Sequence, residues 1–191
     1  MASTYETSDF RKGLKILYDD VPWVIVDFQH VKPGKGNAFT RTRIRNLLTG
    51  ASQEVTLKSG DRVGDPEIED KKMSFLYKEG DTYHFMDQRN FDQVELPKDA
   101  LGDIAQFLLP EMAADVMFWK GRAISVDIAQ HVVLKVTHCE PGVRGDTATN
   151  VTKPATLETG AVVAVPLFIN VGDTVKVDTR SGEYLERTSI G

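Results

Sequence analysis

From Gly13 to Arg187 the chain is a succession of short runs rich in β-branched and aromatic residues. Each is cut off within a few residues by glycine, proline or aspartate turns, and one stretch alone has helical spacing. Runs of this length cannot build a large open sheet or a helical bundle. They point to small, closed β-barrels. The first sixty-odd residues show the pattern clearly. Gly13 to Tyr18 ends at Asp19-Asp20, and Pro22 opens Trp23-Val24-Ile25-Val26-Asp27-Phe28. Ala38 to Leu48 follows, Thr49-Gly50 breaks it, and Glu54 to Leu57 resumes. Ser59 to Asp70, with Gly60, Gly64, Pro66 and a run of acids, reads as a linker or domain edge.

The middle segment restarts with the hairpin Met73 to Met86, turning at Lys78-Glu79-Gly80-Asp81. Phe91 to Leu96 extends it. Lys98 to Leu109 is the helix candidate, with Leu101, Ile104, Ala105 and Leu108 on one face and Pro110 closing it. Val116 to Ile128 makes a second hairpin through Lys120-Gly121. A third segment holds strands at Val132 to Val136, Val162 to Ile169, Thr174 to Asp178 and Tyr184 to Arg187, with a loop from Val143 to Pro154. This spacing fits a five-stranded barrel of the oligonucleotide-binding type. The expected division is therefore residues 1–66, 67–130 and 131–191, an all-β chain of three small barrels.

Between the strands Pro22 to Val31 and Ala38 to Leu48 lies Lys32-Pro33-Gly34-Lys35-Gly36-Asn37. Pro33 fixes its φ and lacks a donor, which ends the strand. Gly34 and Gly36 permit positive φ and keep bulk away from the backbone. Lys35 is thus a single long cation raised on a slim stalk, suited to a narrow, negatively charged place. A solvated turn is the commoner reading of a Lys-Gly pair, and the loop by itself leaves both open.

Charge patterning adds to the first reading. The net charge is −5, yet no acid occurs between Asp27 and Glu54, where Lys32, Lys35, Arg41, Arg43 and Arg45 all fall. By the two-residue period of a strand, Phe39, Arg41, Arg43, Arg45 and Leu47 share one face, and Ala38, Thr40, Thr42, Ile44, Asn46 and Leu48 the other. A basic face on an acidic body can bind RNA locally.

Other chemistry finds little footing. His30, His84, His131 and His138 are scattered, and the neighbours His138 and Cys139 point to opposite faces of a strand, so no metal set converges. Gly34-Lys35 runs on into Gly36 and a strand, unlike a phosphate-binding loop. No nucleophile sits in a recognisable elbow. Cys139 is the single cysteine, which fits a reducing cytoplasm. No apolar run is long enough to cross a bilayer, and Met1 to Phe10 is polar and acidic, unlike a signal or transit peptide.

The stretch Val31-Lys32-Pro33-Gly34-Lys35-Gly36-Asn37-Ala38-Phe39, with Arg45-Asn46-Leu47-Leu48-Thr49-Gly50, resembles the first domain of the bacterial elongation factor P family. So do Phe75-Leu76-Tyr77 and His84-Phe85-Met86-Asp87 in the middle. Pro141 to Thr147, Lys153 to Gly160, Val165 to Phe168 and Val177 to Tyr184 are similar to its C-terminal signature, so the resemblance covers essentially the whole chain. It implies an SH3-like (KOW-like) first barrel and two oligonucleotide-binding (OB) barrels, in an L shape like a tRNA. It implies a cytoplasmic monomer, not an enzyme, that binds the 70S ribosome between the peptidyl-tRNA and exit sites and relieves stalling at consecutive prolines.

On that resemblance Lys35 reaches the CCA end of peptidyl-tRNA, supported by Pro33, Gly34 and Gly36. It carries an extension added by a lysine-modifying enzyme, of the β-lysyl or aminopentanol type, whereas arginine rhamnosylation is excluded. Gly145, Asp146 and Thr147 match the loop that meets the exit-site codon, and Tyr184 and Arg187 match positions tied to ribosome function. Lys32, Arg41, Arg43 and Arg45 are assigned to RNA contact from the charge pattern. No catalytic residue, metal or free cofactor is expected. The alternatives are an elongation-factor-P-like paralogue, whose tip typically presents arginine, and a generic RNA-binding OB protein.

Overall fold

The computed structural model describes residues 3–142 and 151–188. It is all-β, with three antiparallel sheets that curl into half-barrels. The first contains β1 (Thr4–Glu6), β2 (Lys15–Tyr18), β3 (Val21–Val31), β4 (Phe39–Asn46), β5 (Ser52–Lys58) and β6 (Arg62–Gly64), in the order β1-β6-β2-β3-β4-β5. The second contains β7 (Glu69–Glu79), β8 (Thr82–Asp87), β9 (Gln93–Pro97), β10 (Ala113–Trp119) and β11 (Arg122–Ile128), ordered β11-β10-β7-β8-β9. The third contains β12 (His131–Cys139), β13 (Thr152–Leu157), β14 (Val162–Pro166), β15 (Thr174–Asp178) and β16 (Tyr184–Thr188), ordered β14-β13-β12-β15-β16. By compactness the chain divides into two units, Met1–Lys71 with Val116–Ser125, and Lys72–Asp115 with Val126–Gly191.

The turns form where the sequence requires positive φ. Asp19 and Asp20 sit at φ 50° and 58° between β2 and β3, and Lys120 and Gly121 at 50° and 75° between β10 and β11. Such pairs match the twist of a tight hairpin. Two Thr-Gly-Ala segments, Thr49 to Ala51 and Thr159 to Ala161, are built alike. Thr49 Oγ1 accepts from Ala51 N–H at 3.3 Å and Thr159 Oγ1 from Ala161 N–H at 3.4 Å, around Gly50 and Gly160 at positive φ.

In the first unit a buried cluster of Phe10, Leu14, Ile16, Trp23, Ile25, Ile44, Leu57 and Val63 closes the sheet on itself. Ile16, Ile25 and Ile44 are fully buried, each stabilising by about 1.5–3 kcal/mol relative to exposure. This cluster fixes β3 and β4, the two strands that carry the Lys35 loop.

The structure departs from the sequence reading in four places. The helix expected over Lys98 to Leu109 is α1 (Lys98–Leu101) followed by a 3₁₀ segment, Gly102–Phe107. Gly102 at φ 60°, ψ −140° ends the α-helical turn, while Leu101, Ala105 and Leu108 still reach the core. The segment read as a linker or domain edge is not free chain, since it contains β6, which pairs with β1. The expected loop up to Pro154 ends in β13, where Lys153 and Pro154 pair with Val165 and Ala164. Pro154 lies one residue beyond the last β12 pairing, Cys139 with Ala155, so its missing donor is tolerated at the edge of that ladder. The strand expected to run from Val162 to Ile169 stops at Pro166, where a turn begins.

Candidate functional site

β3 and β4 pair from Trp23 with Asn46 to Val31 with Phe39, and residues 32–38 form the loop between them. Lys32 to Asn37 are all exposed. The stem is tied at its base. Ser59 N–H donates to the Ala38 carbonyl at 2.9 Å, and His30 Nδ1 lies 2.8 Å from Thr40 Oγ1. Of the two flanking glycines only Gly36 uses positive φ, at 108°, whereas Gly34 contributes open space. Lys35 has no carboxylate within ion-pair distance among the described residues, so its charge is free for an external partner.

The β4 faces divide as the period requires. Thr40, Thr42 and Ile44 are buried, and Arg41, Arg43 and Arg45 are exposed. Register adds what the linear sequence hides. The two acids that bound the acid-free window, Asp27 and Glu54, both lie directly across from Arg43. A β-bulge between Ile25 and Asp27 causes this on the β3 side, because without the extra residue Asp27 would face the buried Thr42 row. Asp27 is ion-paired with Lys12 at 3.0 Å. The Lys12 ammonium, with lesser help from the Phe28 N–H and the Arg43 guanidinium, holds its carboxyl below the usual carboxylate value. Arg41 instead faces Gln29 and Thr56, and its guanidinium lies 5.8 Å from the Phe39 ring centroid. The positive field therefore strengthens from Arg43 towards Lys32 and Lys35.

Thr42 Oγ1 is buried without a hydrogen-bond partner. A nearly isosteric Thr42→Val change removes that orphan, and it is expected to raise stability by about 1 kcal/mol or more, read as a shift in denaturation midpoint.

Tyr184 and Arg187 lie on β16 in the other unit. Tyr184 is half-buried. Arg187 is exposed, with its guanidinium 5.6 Å from the exposed Phe168 ring and 3.9 Å from Asp173. Gly145, Asp146 and Thr147 lie outside the described residues. The described residues before and after that segment are closely held. A Cβ at Gly142 would stand 2.7 Å from the Leu167 carbonyl oxygen, and buried Lys153 donates from Nζ to the Glu140 carbonyl at 2.6 Å. Read from sequence, Lys153 is simply one of the loop's positive charges. Alternation along β13, Lys153-x-Ala155-x-Leu157, is the available signal for its burial. The stem hydrogen bond from Ser59 has no sequence signal, since it depends on the β4–β5 register.

Three family models match in succession: "Elongation factor P (EF-P) KOW-like domain" over residues 6–63, "Elongation factor P (EF-P) OB domain" over 68–126, and "Elongation factor P, C-terminal" over 132–187. Elongation factor P of Bdellovibrio bacteriovorus is 51% identical over 97% of this chain and 98% of its own length. That of Desulfovibrio desulfuricans is 50% identical over 96% and 99%. The chain belongs to the elongation factor P family. The elongation factor P relatives are named as translation factors, and the match runs through every sheet described above. A solved structure of eukaryotic translation initiation factor 5A from Methanococcus jannaschii has a TM-score of 0.58 at 23% identity, covering 66% of this chain and 93% of that one, which speaks to the fold alone. Among the described residues no three His, Cys, Asp or Glu side chains are grouped to hold a metal ion, and no helix is long and apolar enough to cross a membrane.

Proposed function

We propose that this member of the elongation factor P family binds the 70S ribosome in the cytoplasm, between the peptidyl-tRNA and exit sites, and stimulates peptide-bond formation at consecutive prolines. The observation that carries the reading is Lys35, without an ion-pair partner among the described residues, on a narrow, glycine-flanked loop backed by an arginine face, in a chain half-identical to curated elongation factor P proteins. Proline is a conformationally restricted, slow nucleophile, so the peptidyl-tRNA waits. Holding its CCA end in reactive geometry lowers the entropic part of the barrier, and bond formation itself stays with the ribosome.

Within this reading Lys32, Lys35, Arg41 and Arg45 meet RNA phosphates, and Arg43 contributes less because Asp27 and Glu54 flank it. Lys35 receives a β-lysyl or aminopentanol extension from a modifying enzyme, which adds reach and charge-assisted donors. Gly145, Asp146 and Thr147 meet the exit-site codon, with Tyr184 and Arg187 supporting that end.

The test is a reconstituted translation system reading matched messages with and without a proline stretch. Added protein should accelerate the proline message and leave the other unchanged. Equal effects on both, or none, would reject the reading. Intact and peptide mass of protein from its own cells reads the Lys35 extension separately.

A further inference from the structure

We propose that the outward face of the middle sheet, at Tyr77, Glu79, His84 and Glu95, is a receptor for an arginine side chain from a basic polypeptide segment. Three adjacent strands build it. Tyr77 on β7 pairs with His84 on β8, which pairs with Glu95 on β9, and Glu79 stands two residues beyond Tyr77. A bulge between Phe75 and Tyr77 sends Phe75 into the core and leaves Tyr77 facing out. The Tyr77 and His84 rings stack with centroids 4.4 Å apart and planes 19° apart.

His84 is only 7% exposed, yet its Nε2 has no hydrogen-bond partner. Glu79 Oε2 is 3.8 Å from Nε2 and Glu95 Oε1 is 3.6 Å from Nδ1, both too long for a hydrogen bond. The two carboxylates are 80% and 68% exposed, and neither meets a lysine or arginine among the described residues. The neighbouring Lys78 instead extends over the Tyr83 ring, 5.4 Å from its centroid. The result is a half-exposed aromatic ring, held rigid from beneath, with two unneutralised carboxylates at its edge and a buried ring nitrogen without a hydrogen-bond partner beside Glu79.

A guanidinium stacked on the open face of Tyr77 meets the ring and both carboxylates together. It is planar and weakly hydrated, stacks on an aromatic face, and sends several donors sideways to carboxylates. A lysine ammonium matches the charge but not the plane. A nucleic-acid strand also stacks on tyrosine, but its phosphates meet two like charges here, so this face selects protein where the Lys35 hairpin selects RNA.

The experiment uses the full, isotope-labelled chain at neutral pH, titrated with the peptide acetyl-Gly-Arg-Gly-Arg-Gly-amide while Tyr77 and His84 are followed by NMR. Lysine and citrulline versions of the peptide and an oligouridylate serve as comparisons. Saturable shifts at both residues are expected, tighter for arginine than lysine and absent for citrulline and RNA. Tyr77→Leu, or Glu79→Gln with Glu95→Gln, should weaken binding by about tenfold, while Tyr77→Phe retains it. Absence of saturation, equal binding of citrulline, or RNA binding at these residues would overturn the proposal. So would a His84 ring already protonated on both nitrogens in the free protein, since the ring would then supply the missing cation itself. No ribosome is present in this assay, so its outcome is independent of the translation test.

Discussion

Replacing Lys35 by alanine is expected to reduce the stimulation of proline-stretch synthesis by about ten- to a hundredfold, the equivalent of removing one charge-assisted hydrogen bond of about 1.5–3 kcal/mol. The melting temperature should not move. Lys35 is exposed, has no ion-pair partner among the described residues, and lies outside the β3–β4 ladder, so its removal touches nothing that holds the barrel together. Exposed positions of this kind shift stability by less than about 0.5 kcal/mol. Lys35→Arg separates the two things the lysine supplies. Arginine keeps the charge and most of the reach but gives a lysine-modifying enzyme no primary amine. Activity near wild type for Lys35→Arg would assign the role to charge alone, and activity near that of Lys35→Ala would assign it to the extension. Full activity of Lys35→Ala would remove the tip from the mechanism.

The tip is legible in the sequence because its cause is local. Pro33 and the two glycines determine what the chain can do at residues 32–38 without help from elsewhere. The face carrying Arg41, Arg43 and Arg45 is legible for the same reason, since period two needs no partner strand. What escapes depends on pairings distant in sequence. β1 and β6 are three residues each and are stable through pairing with one another, so neither has a pattern long enough to detect. The acid-free window looks uniformly basic along the chain. The bulge at Val26 and the β4–β5 register nevertheless bring Asp27 and Glu54 to the same arginine. The helical spacing of Leu101, Ile104, Ala105 and Leu108 is real, but Gly102 converts most of that segment to 3₁₀ geometry, which still turns apolar side chains inward. His84 reads as a scattered histidine because only the pairing of three strands places it beneath Tyr77 and between two glutamates.

Ile44→Ala should cost about 2–5 kcal/mol of stability, measured by chemical denaturation, because Ile44 is fully buried in the cluster that closes the first sheet and the cavity cannot refill. Its sequence neighbours predict the opposite behaviour. Exchanging Arg41, Arg43 and Arg45 for glutamine leaves the core untouched. It should shift stability little, Arg43 giving up only solvent-exposed attraction to Asp27 and Glu54. In the ribosome-binding reading that triple exchange weakens affinity and flattens its dependence on salt, by roughly one unit of slope for each phosphate that is no longer neutralised. The two variants can therefore be told apart even if both fail in translation at growth temperature. Cooling or a stabilising osmolyte refolds Ile44→Ala and restores its activity, because the tip and the arginine face are intact once the barrel closes. Neither treatment rescues the arginine exchange, whose fold was never disturbed. A triple exchange rescued by cooling would mean that the arginines act through stability, and that polyanion binding belongs to the loop alone.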